Sequence, residues 1–269
     1  MIASTFTGSE TEIFYRVWEP AGTPKATVIF VHGYAEYGGR YAHVAERFIQ
    51  RGYRVAAPDH IGHGESGGER ALLRDFEHVV DDLSALASIL EVNSPGRPTI
   101  MMGHSMGGLL TARFAQRYGT RLAGVAFLGA VLGDWKWARE VLSHEELPHV
   151  DSDPFGMSRD EDVCRAYQSD PLVYHGKYQR PLLVAEVACL DRFNDEIAQI
   201  TLPVGFFHGT DDPFVPYADS LAAVERMPAS RRVIKLYRGA KHELVNETNR
   251  DEVITDLLDF ADSLIPGEK

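Results

Sequence analysis

The chain has 269 residues, 44% of them hydrophobic, enough to bury one sizeable core with room for an inserted segment. Its 27 Lys and Arg against 39 Asp and Glu leave a net charge of −12, which repels phosphate backbones and excludes nucleic acid as an expected partner. No run reaches the roughly 18 apolar residues of a membrane span, and the first ten residues lack the basic and apolar stretches of a secretory signal. The two cysteines, Cys164 and Cys189, have no C-x-x-C spacing and read as reduced thiols. A cytoplasmic protein, at most peripheral to membranes, is expected.

In chain order, Glu12 to Trp18 alternates like a strand and is broken at Glu19-Pro20. Ala26 to Val31 is a continuous apolar, β-branched run, as in a central strand covered on both faces, and it ends in His32-Gly33-Tyr34-Ala35-Glu36. A helix follows from about Tyr41 to Gln50, closed at Gly52. Arg54 to Pro58 predicts a strand leading into the glycine-rich Asp59 to Gly68. Leu73 to Leu90 carries Val79, Leu83, Leu86 and Leu90 at helical spacing. The strand Thr99 to Met102 then runs into Gly103-His104-Ser105-Met106-Gly107-Gly108 and a helix. Another strand spans Leu122 to Ala130.

From Val131 to about Asp195 the alternation fails and the residues are helical in tendency, with prolines between. Regularity resumes with a strand at Leu202 to Phe207, a helix near Tyr217 to Arg226, a strand at Val233 to Tyr237 and a helix from about Asn249 to Leu264. The expected class is α/β, a mostly parallel sheet with helices on both faces. Residues 1–130 and 196–269 form the expected core, and residues 131–195 an inserted helical cap over the carboxyl ends of the strands.

In such a sheet the loops at those ends converge on one site. The G-x-S-x-G pattern between strand and helix reads as a nucleophile elbow with Ser105 at its apex. The alternative is a serine that merely caps the helix. A serine hydroxyl needs a base, and the base needs a carboxylate to hold its tautomer, in the chain order serine, acid, histidine. Of 11 histidines only His242 lies beyond the last acid-bearing loop. Asp211 and Asp212 compete for the acid. The spacing Gly209-x-x-Asp212-x-x-Val215 favours Asp212, and Asp134 is a weaker third candidate. The oxyanion requires N–H donors, expected from the backbone amides of Met106, at a helix start, and Tyr34, in the His32-Gly33-Tyr34 turn. His32 is expected to brace that turn. His60 and His63 lack metal-ligand spacing, and Gly64 to Gly68 lacks the Gly-Lys-Ser/Thr of a phosphate loop, so neither metal nor cofactor is expected.

The segments His32-Gly33-Tyr34-Ala35-Glu36, Gly39-Arg40-Tyr41, Asp59 to Gly68, Gly103 to Gly108, Asp170-Pro171-Leu172-Val173, His208 to Asp212 and His242 to Glu247 together resemble the α/β-hydrolase superfamily. Within it they are similar to the monoacylglycerol lipase/lysophospholipase group, over nearly the whole chain. The resemblance implies a triad of Ser105, Asp212 and His242, with Tyr34 and Met106 as oxyanion donors. It further implies that Glu36 sits near the polar end of a glycerol pocket and holds substrate hydroxyls. The departure lies in a cap that is shorter than usual between Val131 and Asp170.

The implied function is a serine hydrolase of carboxylic esters, with monoacylglycerol as substrate. A lysophospholipase or broad carboxylesterase is the alternative, and a non-catalytic binding protein on the same fold the remote one. Trp135 and Trp137 open the cap and are read as substrate contacts. Trp135, Ala138, Val141 and Leu142 make an apolar helix face that either rests weakly on a lipid interface or packs over the core and lines the acyl pocket. The acidic Glu145, Glu146, Asp151, Asp153, Asp160, Glu161 and Asp162 argue against attraction to anionic membranes.

Overall fold

The computed structural model describes residues 1–147 and 153–265; Asp151, counted above among the acidic residues, lies outside them. The strands are β1 (Ile2–Thr7), β2 (Glu12–Trp18), β3 (Ala26–Val31), β4 (Tyr53–Pro58), β5 (Thr99–His104), β6 (Gly124–Leu128), β7 (Val204–Gly209) and β8 (Arg232–Tyr237). The helices are α1 (Ala42–Gln50), α2 (Phe76–Val92), α3 (Met106–Tyr118), α4 (Lys136–Ser143), α5 (Glu161–Ser169), α6 (Arg180–Asp195), α7 (Tyr217–Arg226) and α8 (Arg250–Asp262). The strands form one sheet in the order β1-β2-β4-β3-β5-β6-β7-β8. The β1–β2 and β2–β4 pairs are antiparallel and the rest are parallel.

The central strands β3, β4, β6 and β7 are buried at every position, as their apolar runs require. Alternate side chains feed two cores. Ile29 and Val31 of β3 point toward α2, α3, α6 and α7, whereas Val28 and Phe30 point toward α1 and α8. Strand β1 was not anticipated. Five of its six residues are exposed, so no buried face marks it, and it is held by backbone pairing of Ile2 to Thr7 with Val17 to Glu12.

Between β6 and β7 the chain builds α4, α5 and α6 without a separate core. Leu182, Leu183, Leu190 and Phe193 of α6 join the same buried cluster as α2 and α3. Arg113 of α3 reaches Glu196 at 2.7 Å, and Gln116 donates to the Phe193 carbonyl at 2.8 Å. The segment between β6 and β7 is therefore packed continuously with the helices of the sheet. Among the described residues, Met157, Tyr167 and Val173 form a small satellite cluster, against Tyr37 and Phe214.

Candidate active site

Strand β5 ends at His104 and α3 begins at Met106, so the chain reverses direction over one residue. That residue, Ser105, has φ 53° and ψ −123°, a region costly for any residue with a Cβ. Its backbone is over-determined: the amide donates to the Leu128 carbonyl at 3.0 Å, and its carbonyl accepts from Gly108 at 2.9 Å and Val131 at 3.1 Å. The turn is possible because its glycines carry no side chain. A Cβ on Gly107 would lie 2.1 Å from the Val31 carbonyl oxygen, and one on Gly103 2.2 Å from that of Gly107. Ser105 makes no side-chain capping bond to α3, which removes the helix-cap alternative.

The loops after β7 and β8 bring the acid and the histidine together. His242 Nδ1 lies 2.7 Å from Asp212 Oδ2, with both side chains buried. Asp212 Oδ1 accepts the amides of Phe214 and Val215, each at 2.9 Å, and His208 Nε2 is 3.3 Å from Oδ2. Burial would raise the Asp212 carboxyl, but the His242 and His208 imidazoles and these hydrogen bonds prevail and hold it far below the usual carboxylate range. Asp211 is exposed and, among the described residues, accepts only from Thr210 Oγ1, at 2.9 Å, while Asp134 is exposed and paired with Arg139 at 2.7 Å. Asp212 is the one candidate acid that reaches His242.

Ser105, His242, Met106 and Tyr34 line one cavity, partly open to solvent. Met106 is the first residue of α3, so its amide has no intrahelical acceptor. The Tyr34 amide has no acceptor among the described residues. The turn that presents it is braced as expected. His32 Nδ1 donates to the Gly33 carbonyl at 2.7 Å, which leaves Nε2 to accept the His60 amide at 2.9 Å. His60 and His63 are themselves buried, with ring nitrogens facing the carbonyls of His32 and Ile61. Burial pushes them down to about 3 and about 4, so they are neutral braces.

Glu36, which the resemblance implies as a substrate contact, has further partners within the fold. It borders the cavity, but its carboxylate is already engaged. Oε1 accepts from Gly33 N at 2.7 Å and Tyr41 Oη at 3.1 Å and faces His104 Nδ1 at 2.6 Å. His104 Nε2 in turn donates to the His242 carbonyl at 3.2 Å. Arg40 lies 3.5 Å from Glu36 and makes a two-pronged pair with Glu243, the second prong at 2.8 Å. The network thus holds the backbone of His242 from behind. Burial would raise Glu36, yet the His104 imidazole and Arg40 bring it down to about 2, and Glu36 raises His104 against the effect of its own burial.

A carboxyl lowered from 4.5 to about 2 contributes stability that is complete above about pH 4.5 and lost as pH falls toward 2. Glu36→Gln should therefore flatten the rise in urea midpoint between pH 2.5 and 5 and lower the midpoint at pH 6. Parallel profiles for the variant and the parent would contradict this network.

Trp135 borders the cavity, with Nε1 3.4 Å from the Phe214 carbonyl oxygen, and precedes α4 in a left-handed conformation. Trp137 does not reach the cavity. It packs behind it, 5.0 Å from the Trp135 ring and 5.3 Å from Tyr178. The apolar face of α4 is turned inward, with Trp135, Ala138 and Val141 all buried, and so is not a lipid-facing surface. His104, Arg40, Glu243 and His208 escaped the sequence reading. Their only signal was position, each standing one residue from a motif residue or inside a matched segment.

A mostly parallel sheet with a strained serine between β5 and α3, and an acid–histidine pair after β7 and β8, defines the α/β-hydrolase class. The sequence belongs to the family described as serine aminopeptidase, S33, which it matches over residues 22–249. It is 35% identical over 254 residues to a monoacylglycerol lipase of Mycolicibacterium smegmatis, covering 91% of each chain. It is 29% identical to a rat monoglyceride lipase, covering 87% of this chain and 81% of the rat protein. Among solved structures, the monoacylglycerol lipase of Paleococcus ferrophilus superposes with a TM-score of 0.80 at 25% identity, over 94% of this chain and 99% of the other. No helix among the described residues is long and apolar enough to cross a membrane.

Proposed function

We propose that the chain is a carboxylic ester hydrolase of the monoacylglycerol lipase type that works through an acyl-enzyme on Ser105. His242 takes the Ser105 proton as the hydroxyl attacks the ester carbonyl, and Asp212 holds the imidazole tautomer and stabilises the imidazolium. The amides of Tyr34 and Met106 receive the oxyanion. His242 then protonates the leaving alcohol, and water repeats the cycle to release the fatty acid. The observation that carries this reading is the 2.7 Å bond between His242 Nδ1 and Asp212 Oδ2 on the cavity that Ser105 enters.

The family description also names peptidases. An aminopeptidase needs an unpaired carboxylate for the substrate ammonium group. Here Glu36 and Glu243 are paired with His104 and Arg40, and burial, which pushes Glu186 up to about 8, disfavours its charged form. The remaining wall is largely apolar, with Val131, Trp135, Met157, Phe214 and Val215, which favours an acyl chain. The names of the relatives favour the same substrate.

Residues 131–195 are our candidate cap, since Val131, Trp135, Met157, Tyr174 and Tyr178 roof the cavity. Weak contact with a lipid interface is assigned to its exposed Phe155 and Val184 rather than to the tryptophans. A cytoplasmic location is supported by two buried, unpaired thiols, Cys164 and Cys189.

The test is a hydrolysis panel. Monoacylglycerols should exceed lysophosphatidylcholines of the same chain in kcat/KM by at least about tenfold, the penalty of one unmatched polar group. Faster cleavage of the lysophospholipid would overturn the substrate assignment, and cleavage of aminoacyl amides alone would overturn the esterase reading.

A further inference from the structure

His208 is the next-to-last residue of β7 and is wholly buried, on the same face of the strand as Val204 and Phe206. Its ring lies 5.3 Å from that of Phe206 and 6.4 Å from that of Tyr217, the first residue of α7. An apolar side chain would suit this position better as filling, because the imidazole leaves Nδ1 buried with no partner among the described residues. What the ring adds over an apolar one is Nε2. That nitrogen lies 2.9 Å from the Val215 carbonyl oxygen and 3.3 Å from Asp212 Oδ2. A carbonyl only accepts, so Nε2 carries a proton and is the donor.

The two oxygens of Asp212 are held differently. Oδ1 takes the backbone amides of Phe214 and Val215, each at 2.9 Å. Oδ2 faces His242 Nδ1 at 2.7 Å, and among the described residues its second polar neighbour is His208 Nε2. From the β6 side the pair is approached by Gly129, where a Cβ would stand 3.4 Å from His242 Nδ1 and 3.5 Å from Asp212 Oδ2. Val215 is thus gripped twice, its amide by Asp212 and its carbonyl by His208. The two bonds close a ring from β7 through the acid-bearing loop and back to β7.

We propose that His208 is a positioning residue for the hydrolytic reaction: through Nε2–H it fixes the loop of residues 209–215 and supports Asp212 Oδ2, so that the carboxylate meets His242 Nδ1–H in one orientation. It is absent from the lining of the catalytic cavity and acts only through the acid. The role rests on the ester-hydrolase reading above. A loosened carboxylate matters most as positive charge develops on His242 during attack, so its effect falls on kcat rather than on substrate binding.

His208→Phe keeps a buried ring and removes the donor. Per folded molecule, its kcat on a p-nitrophenyl ester should fall at least about tenfold, the value of a hydrogen bond to a charged group, with KM within about twofold of the parent. His208→Gln, which places an amide N–H near the position of Nε2–H, should recover most of that loss. The background separates positioning from a merely structural role. In Asp212→Asn the same His208→Phe change should cost less than about twofold, because the carboxylate that His208 serves is gone. An unchanged kcat in His208→Phe, or equal losses in both backgrounds, would overturn the proposal. A second measurement leaves His208 itself intact. In NMR spectra of protein carrying isotope-labelled histidine, the His208 Nε2–H proton should be protected from exchange and should move upfield in Asp212→Asn. A His208 with no proton on Nε2, or with the same signal in both proteins, would overturn the proposal even where His208→Phe does not fold. A parent protein that cleaves no ester and takes no fluorophosphonate at Ser105 would instead overturn the hydrolase reading, on which the NMR comparison does not depend.

Discussion

Ser105→Ala is expected to lower kcat on any ester substrate by at least about 10⁴-fold with little change in KM or melting temperature. The rate falls because no other group in the cavity supplies a nucleophile with a base beside it. The fold is spared for a specific reason. The Ser105 side chain makes no capping bond, and the bonds that hold the turn belong to its backbone, which alanine retains. His242→Ala should lose a comparable factor, and the double variant should be no worse than either single one, because the two residues act as a unit. The histidine variant differs in stability. It removes the main partner of the buried Asp212 carboxylate, so its melting temperature should fall while that of Ser105→Ala holds. Multiplicative losses in the double variant would show that the two residues do not share one step.

The second large effect separates neighbours in sequence. Asp212→Asn should reduce kcat by about 10⁴-fold, whereas Asp211→Asn should stay within about twofold of the parent. Asparagine preserves the Oδ1 acceptor that takes the amides of Phe214 and Val215, so the loop keeps its shape. It loses the charge that orients His242 Nδ1–H and stabilises the imidazolium. Asp211 faces solvent, and its side chain accepts a hydrogen bond from Thr210. An active Asp212→Asn with an inactive Asp211→Asn would reverse the assignment of the acid.

The elements that position this chemistry were largely legible in the chain. The strand predicted over Ala26 to Val31 and the helix over Tyr217 to Arg226 match β3 and α7 residue for residue, because a fully apolar run and a clean helical period each leave one solution. The Ser105 turn was legible because its glycines answer to sterics, and Asp212 because its carboxylate folds back on the amides of residues 214 and 215. What was not legible has physical causes. Strand β1 owes its existence to β2 and carries almost no buried face. The partners of Glu36 were not legible because folding chooses them; His104 lies 68 residues away.

Glu186 is the instructive omission. It falls four residues after Leu182, three before Cys189 and four before Leu190, all buried, so helical spacing alone places a carboxylate on the apolar face of α6. The Trp135 face illustrates the converse. Its amphipathic pattern was correct, but a pattern does not say whether the apolar side meets lipid or protein, and here it meets protein.

The central claim is that Ser105 is an activated nucleophile in the folded protein. Intact-mass spectrometry after exposure to a fluorophosphonate, followed by peptide mapping, tests it directly. A single adduct on Ser105 is expected, formed more slowly in the presence of a monoacylglycerol and absent in His242→Ala over the same time. A folded protein that takes no adduct, or takes it on another residue, would contradict it.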